Sequence, residues 1–396
     1  MVDQMYGWLF GTRQPPATSK TQLPLCSTPS ARGSWRSVMS LASFVASEPP
    51  CCSWDIEVMP YSLAVTRDEK RTCDRLMGRY ARAAALNGSV IHAIPPQLAF
   101  VGGNSCCNTQ ARGDKAALQW VPASCRLVPW SAGTFCSTLR RRKLLFIGDS
   151  TSHQLASVVM NRIAWAASSD PAASCSLQVL YGISDTLLAE RMGRSTARGL
   201  HYLEWIRKVR PAIVVLQASH HVYKSHNYLR VLKHVALNAA ELPNVTFIWQ
   251  GSVPGGCGPV PLERLPKEGT AIIEELEALR RAGGNASMVA QTASVTAPTG
   301  ATSAPGLSYN WKEMRQRDAF ARHYFSNATA RSYSAAGRDA AAGRVHFLGL
   351  EPLHYRVDMH VGSGQPDAPH ADCLHFCIPG PLALFPQLLL HFLRGL

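Results

Sequence analysis

The stretch RKLLFIGDSTSHQL, Arg142 to Leu155, changes character at its centre. Residues 144–147 form an apolar run typical of a strand buried on both faces, and an amphipathic helical pattern begins after Gly148. Such a strand-to-helix turn needs a small residue and a Ser or Asp that caps the helix. Ser150 therefore has two interpretations: it caps a helix, or it acts as a nucleophile.

Further apolar runs resemble this one and alternate with amphipathic stretches that carry apolar residues on one helical face. This alternation predicts an α/β domain built on a mostly parallel sheet of five strands. A terminal core helix is expected within 382–396. The predicted strands lie within 143–148, 176–183, 211–219, 244–251 and 344–352, and the other predicted helices within 153–167, 201–210, 228–242 and 311–325.

Composition divides the chain of 396 residues into two parts. Residues 1–95 are rich in Ser, Pro, Thr and Arg with little periodicity, which predicts a poorly ordered leader and a peripheral N-terminal segment. Residues 96–396 are expected to form one large domain. Within it, 283–306 is a low-complexity stretch that we interpret as a surface insertion.

The net charge of +14 favours an anionic partner. No stripe of basic residues with interleaved aromatics is present, so nucleic acid is not favoured. An acidic polysaccharide, a membrane surface or no specific partner fits equally well. No apolar run reaches the ~18 residues of a membrane span, so no membrane anchor is visible in this sequence. The sequence does not indicate an oligomeric state.

Twelve cysteines without Cys-x-x-Cys spacing favour disulfides over zinc or redox motifs. Sequons for N-glycosylation support the same compartment. We therefore expect a glycoprotein of the secretory pathway. The sequons begin at Asn87, Asn244, Asn285 and Asn327.

Parallel sheets bind ligands at the carboxyl ends of their strands, which is where Ser150 is expected. Its backbone N–H would lie at a helix start, where negative charge is stabilised. A candidate base lies in DAPHADCLHFCIPGP, residues 367–381. Asp372 and His375 are three residues apart, so an aspartate could hold one ring nitrogen while the other accepts the serine proton. The alternative is a surface loop with incidental polar residues.

Taken together, the Gly-Asp-Ser block and the later D-C-x-H-F-C-x-P-G block resemble the PC-esterase branch of the SGNH/GDSL-like superfamily. That branch includes the plant trichome-birefringence-like polysaccharide O-acetyltransferases. The lead-in ALQWVPASCRLVPWSAGTFCSTLRRRKLLFIGDS, 117–150, and HYRVDMHVG, 354–362, resemble family segments as well. The resemblance covers roughly 102–396, without the insertion.

The resemblance implies an SGNH-hydrolase-like three-layer α/β/α sandwich. It also implies Ser150 as nucleophile, His375 as general base and Asp372 as its orienting partner. The expected reaction is O-acyl transfer, with acetyl as the expected group, to polysaccharide or glycan hydroxyls through an acyl-serine. No bound cofactor is implied; the acyl donor is a cosubstrate, for which acetyl-CoA is one candidate. The family also implies action on cell-wall polysaccharide in the Golgi lumen, with an extracellular location as the alternative.

The chain departs from the family pattern around the oxyanion hole. His153 and Gln154 stand where Arg-Asn is common, and Gln217 stands where the family usually carries Asn. We assign Gln217, Gly251, Asp149 and His220 to oxyanion or substrate binding. Gln217 could instead pair with a neighbouring backbone group, and Gly251 could simply permit a turn.

Two other functions share these residues. An acetyl esterase would use the same triad with water as acceptor, and a degenerate glycan-binding protein would keep the fold without the chemistry. Metal binding is not expected, because the spacing of the histidines matches no metal site. The histidines considered are His201, His220, His221, His226 and His234.

Overall fold

A computed structural model of the chain describes part of its residues, and everything below refers to that part. The described residues are 23–28, 32–40, 43, 113–169, 175, 178–190, 192, 199–218, 220–222, 224–253, 255, 314–326, 345–361, 374–378 and 380–396. The predicted insertion at 283–306 lies outside them, as do three of the four sequons. The remaining sequon residue, Asn244, is exposed in the turn between a helix and a strand.

The elements follow in chain order. The strands are β1 (Gly33–Ser37), β2 (Leu118–Pro122), β3 (Leu144–Gly148), β4 (Val179–Ile183), β5 (Ile213–Leu216), β6 (Thr246–Gln250) and β7 (Val345–Leu348). The α-helices are α1 (Ala132–Leu139), α2 (Ser150–Ser169), α3 (Tyr202–Val209), α4 (Ser225–Glu241), α5 (Met314–Ser326) and α6 (Phe385–Gly395). Short 3-10 helices span Gly113–Ala117, Glu351–Tyr355, Val357–Met359 and Pro381–Leu384.

The five predicted strands form one sheet in the order β4-β3-β5-β6-β7, and every pairing in it is parallel. The chain runs from β3 outward to β4 and then returns to the other side of β3 to form β5. Strand order therefore reverses between β3 and β5, the place where open α/β sheets bind ligands. The residues that follow β3 and β5 are Asp149-Ser150 and Gln217.

Alternate residues of each strand pack into two separate cores. In β3, Leu144 and Phe146 face one core, and Leu145 and Ile147 face the other. Helices α1, α2 and α6 cover the first face, and α3, α4 and α5 cover the second. The fold is thus the expected three-layer α/β/α sandwich. Its strands read as continuous apolar runs because both of their faces are buried.

Two stretches of the first 95 residues pack onto this domain. Strand β1 pairs antiparallel with β2, and Cys26 forms a disulfide with Cys125. The indole N–H of Trp35 in β1 donates to the carbonyl of Pro352, 2.8 Å away. The described parts of the N-terminal segment are therefore fastened to the domain covalently and by hydrogen bonds.

A second disulfide joins Cys136 in α1 to Cys175, and Cys377 is also disulfide-bonded. No described cysteine is free. Disulfides persist in oxidising compartments, so these bonds fit a secreted or lumenal protein. Among the residues that the structure describes, no helix is both long and apolar enough to cross a bilayer.

Candidate active site

Ser150 is the first residue of α2, and one residue, Asp149, separates it from the end of β3. Its side chain contacts that of His375. The Oγ of Ser150 and the Nε2 of His375 lie 2.8 Å apart, although 225 positions separate them in the chain. Ser150 is buried and His375 is partly exposed. A serine hydroxyl at this distance from an imidazole nitrogen can pass its proton to the ring, which is the first requirement for a serine nucleophile.

Asp149, and not Ser150, caps helix α2. One carboxylate oxygen of Asp149, Oδ1, accepts from the backbone N–H of Thr151 at 2.9 Å and of Ser152 at 3.4 Å. The hydroxyl of Thr151 donates to the same oxygen. These are the contacts of an N-cap residue. The structure thus separates the two roles that the sequence left open, because the serine hydroxyl contacts the histidine while the aspartate satisfies the helix.

The second carboxylate oxygen of Asp149 lies 3.1 Å from Nδ1 of His220, and both side chains are fully buried. Nε2 of His220 faces the carbonyl of Val253 at 3.2 Å. Burial alone would raise the pKa of Asp149. The charges of His220 and His221 and the hydrogen bonds from His220 and Thr151 outweigh it and hold this pKa well below its usual range. The cap of the serine helix therefore stays ionised.

Gln217 follows β5 and lies beside this pair. Its Oε1 accepts a hydrogen bond from the hydroxyl of Ser152 at 3.0 Å, and its Nε2 lies 3.2 Å from Nδ1 of His220. Gln217 is thus hydrogen-bonded to the serine helix through Ser152, and it lies beside the Asp149–His220 pair. Both of these contacts are with side chains, whereas the sequence also allowed Gln217 to pair with a neighbouring backbone group. The role of Gln217 as an oxyanion donor stays a prediction.

Gly251 follows β6, but its N–H donates to the carbonyl of Leu348 at 2.8 Å and so extends the β6–β7 pairing. This donor is therefore already bonded within the sheet. A Cβ at position 251 would lie 3.2 Å from a carboxylate oxygen of Asp318, so the glycine permits close packing of α5 on this turn.

The carboxylate of Asp318 in α5 accepts hydrogen bonds from the turn after β6. It accepts from the backbone N–H of Ser252 at 2.8 Å and from the Ser252 hydroxyl at 2.9 Å. Nε2 of His354 lies 2.9 Å from the carbonyl of Ser252. Burial raises the pKa of Asp318 to about 7, although hydrogen bonds from Ser252 and the charges of nearby arginines oppose the increase. This turn carries Val253, whose carbonyl contacts His220.

The backbone around His375 is held by the segment before it in sequence. The N–H of Val361 donates to the carbonyl of His375 at 2.9 Å, and the N–H of Cys377 donates to the carbonyl of Met359 at 2.8 Å. His360 and Phe376 form the corresponding antiparallel bridge. His375 therefore lies in a short paired segment and not in an unpaired loop.

A second histidine, His153, lies in α2 one turn after Ser150 and is buried. Its ring is centred 4.7 Å from the ring of Tyr181. Burial, with a smaller contribution from the charge of His375, lowers the pKa of His153 to about 4. His153 is therefore neutral near pH 7. The histidine that contacts Ser150 is His375.

Asp372 lies outside the described residues, so its role as orienting partner stays a prediction. Of the five histidines considered for metal binding, His220 lies beside Asp149, and His201 and His234 lie around Tyr202. Within the described ranges, no group of three His, Cys, Asp or Glu could hold a metal ion.

The supporting residues Asp318, His354 and Gln154 were not singled out in the sequence as site residues. Their partners lie 66, 102 and 222 positions away, so no local pattern could indicate them. No family model matches the chain, and no curated protein matches it significantly.

Proposed function

We propose that this protein is a serine-dependent O-acyltransferase that acetylates hydroxyls of a polysaccharide or glycan. The observation that carries the proposal is the 2.8 Å contact between Ser150 Oγ and His375 Nε2 at the reversal point of a parallel sheet. The acyl group and the acceptor class follow from the resemblance of the two motif blocks to polysaccharide O-acetyltransferases, as does the proposed Golgi location.

In the first step, His375 Nε2 takes the proton of Ser150 as Oγ attacks the carbonyl carbon of the acyl donor. The tetrahedral intermediate collapses when the bond to the leaving group breaks, and His375 returns the proton to that group. The products are the free carrier and an acyl ester on Ser150. Asp372, three residues before His375, is proposed to orient the ring.

In the second step, a sugar hydroxyl gives its proton to His375, and its oxygen attacks the acyl-serine carbonyl. The Ser150 oxygen then leaves and regains the proton from His375. Negative charge develops on the carbonyl oxygen in both steps, and the N-terminus of α2 stabilises negative charge. We propose Gln217, which is bonded to this helix through Ser152, as a further donor.

The fully buried pair of Asp149 and His220 supports this chemistry by position. It fixes the cap of α2, and the cap fixes the first turn, where Ser150 lies. Preorganised groups avoid reorganisation during the reaction, which is the usual source of electrostatic catalysis. We therefore propose that Asp149 and His220 orient the nucleophile and do not contact the substrate.

The proposal is tested with an acetylated chromogenic ester, with and without an oligosaccharide acceptor. We expect chromophore release, acetyl transfer to the sugar and an acetyl adduct on the Ser150 peptide by mass spectrometry. Ser150→Ala should lose all three, whereas Ser137→Ala, an exposed serine on α1, should keep them. An adduct that persists in Ser150→Ala contradicts the proposal. Release to water alone identifies an esterase, and sugar binding without turnover identifies a binding protein.

A further inference from the structure

Gln154 joins the helix of the nucleophile to the segment of the base. Its side-chain Nε2 donates to the carbonyl of Phe376 at 3.0 Å, and its Oε1 accepts from the N–H of Phe376 at 3.2 Å. Both polar groups of one peptide residue are therefore bonded by a single amide. Gln154 is only 1% exposed, so water cannot easily replace either bond.

Both residues of this contact lie close in the sequence to the proposed reacting groups. Gln154 is four residues after Ser150 on α2, so the two side chains share a helix face. Phe376 directly follows His375 in the chain. The contact thus fixes the base relative to the same rigid helix that carries the nucleophile.

On its other side, the base segment is held by residues 359–361. The carbonyl of His375 and the N–H of Cys377 bond to that segment, while the Phe376 backbone bonds to α2. The Phe376 ring is fully buried against His360, with ring centres 4.3 Å apart. Translation of His375 toward or away from Ser150 would break bonds on one side or the other.

We infer that Gln154 is a positioning residue that sets the distance between Ser150 and His375 through the backbone of Phe376. The inference rests on the proposed function, because it assigns Gln154 to the same serine–histidine chemistry. A serine and a base must meet at hydrogen-bond distance, and a misplacement of about 1 Å can cost about 10²-fold in rate. Gln154 contributes to turnover by geometry and contacts no reacting atom.

The main test compares Gln154→Met, which keeps side-chain length but loses both hydrogen bonds, with the parent protein. We expect kcat to fall by about 10- to 100-fold while KM changes less than about 2-fold, because the substrate contacts are not altered. Ile163→Ala is the matched control. It removes buried side-chain volume from the same helix far from Ser150, and it should lower thermal stability without changing kcat. A folded Gln154→Met with parental kcat overturns the inference.

A double-mutant cycle separates positioning from general damage. If Gln154 acts through His375, then adding Gln154→Met to His375→Ala should change the residual rate less than about 2-fold. An equal loss in both backgrounds overturns the inference. Should Gln154→Met not fold, Gln154→Asn takes its place, because its shorter amide cannot reach both groups of Phe376. A parental kcat in Gln154→Asn then overturns it.

Hydrogen exchange at the Phe376 amide tests the contact without any activity. We expect strong protection of this amide in the parent and faster exchange in Gln154→Met. Equal exchange rates would overturn the hydrogen bonds between Gln154 and the Phe376 backbone. If Ser150→Ala retains activity while the exchange still responds, the proposed function has failed and the catalytic part of the inference fails with it. If Ser150→Ala is inactive but Gln154→Met keeps its kcat, only the inference fails.

Discussion

The polar groups at the two ends of the five-stranded sheet differ in burial and in their hydrogen-bond partners. At the carboxyl end, Asp149, His220 and Gln217 are buried, and His220 is hydrogen-bonded to Asp149. At the amino end lies a cavity of about 620 Å³, lined in part by Arg140, Arg142 and Arg394, which are exposed. This cavity is lined by residues at the starts of β5, β6 and β7, away from Ser150 and His375.

The arginines of the amino end have a local explanation. Arg142 donates from Nε to the carbonyl of Leu139 and from a terminal nitrogen to the carbonyl of Thr138, at the end of α1. Arg394 lies in the last turn of α6. Cations at helix carboxyl ends offset the helix dipole. The two ends therefore differ in the burial of their polar groups: Asp149, His220 and Gln217 are buried, whereas these arginines are exposed and lie at the ends of helices.

The largest expected effect is on activity at the carboxyl end. His375→Ala removes the proposed base, and general-base catalysis contributes about 10²–10⁴-fold, so kcat/KM on an acetyl ester should fall by that factor. The double variant Arg140→Ala/Arg394→Ala should retain the parental value. Steady-state kinetics of both variants checks the comparison. A larger loss in the arginine variant would reverse it.

The second effect is on stability. His220→Leu leaves the Asp149 carboxylate buried without its hydrogen-bond partner at Oδ2, so the free energy of unfolding should fall by about 3–5 kcal/mol. The matched control is Glu190→Gln, which breaks the exposed ion pair with Arg230 and should cost under about 1 kcal/mol. Urea unfolding measures both. Equal losses would show that burial does not distinguish the two pairs.

The third effect depends on pH. The pKa of Asp318 is raised to about 7 in the fold from 3.8, so the folded state binds this proton more tightly than the unfolded state. Its contribution to stability is therefore greatest at low pH and is lost as pH rises through about 7. Between pH 5 and pH 8 we expect a loss on the order of 2–3 kcal/mol.

Asp318→Asn isolates that loss, because an amide does not titrate. The difference in unfolding free energy between parent and variant should change with pH in this window in favour of the variant at pH 8. A difference that stays constant from pH 5 to pH 8 would mean that Asp318 does not titrate there.

The smallest effect concerns the amino end alone. Arg394→Ala removes one favourable interaction with the carboxyl end of α6, which is worth about 0.3–1 kcal/mol and weakens with salt. Thermal unfolding at low and high ionic strength should show a small decrease that disappears at high salt. A decrease that persists in salt would point to packing and not to charge.

The sequence pattern predicted the parallel sheet and its helices because buried parallel strands are apolar throughout and amphipathic helices repeat every 3.6 residues, whereas the three-layer arrangement was implied by the family resemblance. It also indicated Ser150 and His375, since motif residues stand where strands end. It could not decide whether Asp149 or Ser150 caps α2, because both residue types cap helices equally well. It marked Gln154 only as a departure from the family pattern and gave no indication of its contact with Phe376, nor of Asp318 or His354, because the partners of all three are fixed only by how distant segments pack.

Strand β1 is an element that the sequence pattern did not indicate. Residues 33–37 show no strong period, and their strand depends on pairing with β2, more than 80 positions later. Such an element is formed by the domain that it packs against and not by its own preferences.

The disulfide between Cys26 and Cys125 spans 99 positions and encloses β1. A protease that cuts once within that span produces two polypeptides, but the bond keeps them in one molecule. Cleaved and intact protein would migrate alike without reductant, and only reduction would release the amino-terminal fragment. Limited proteolysis in the enclosed span therefore need not cost the domain its first strand.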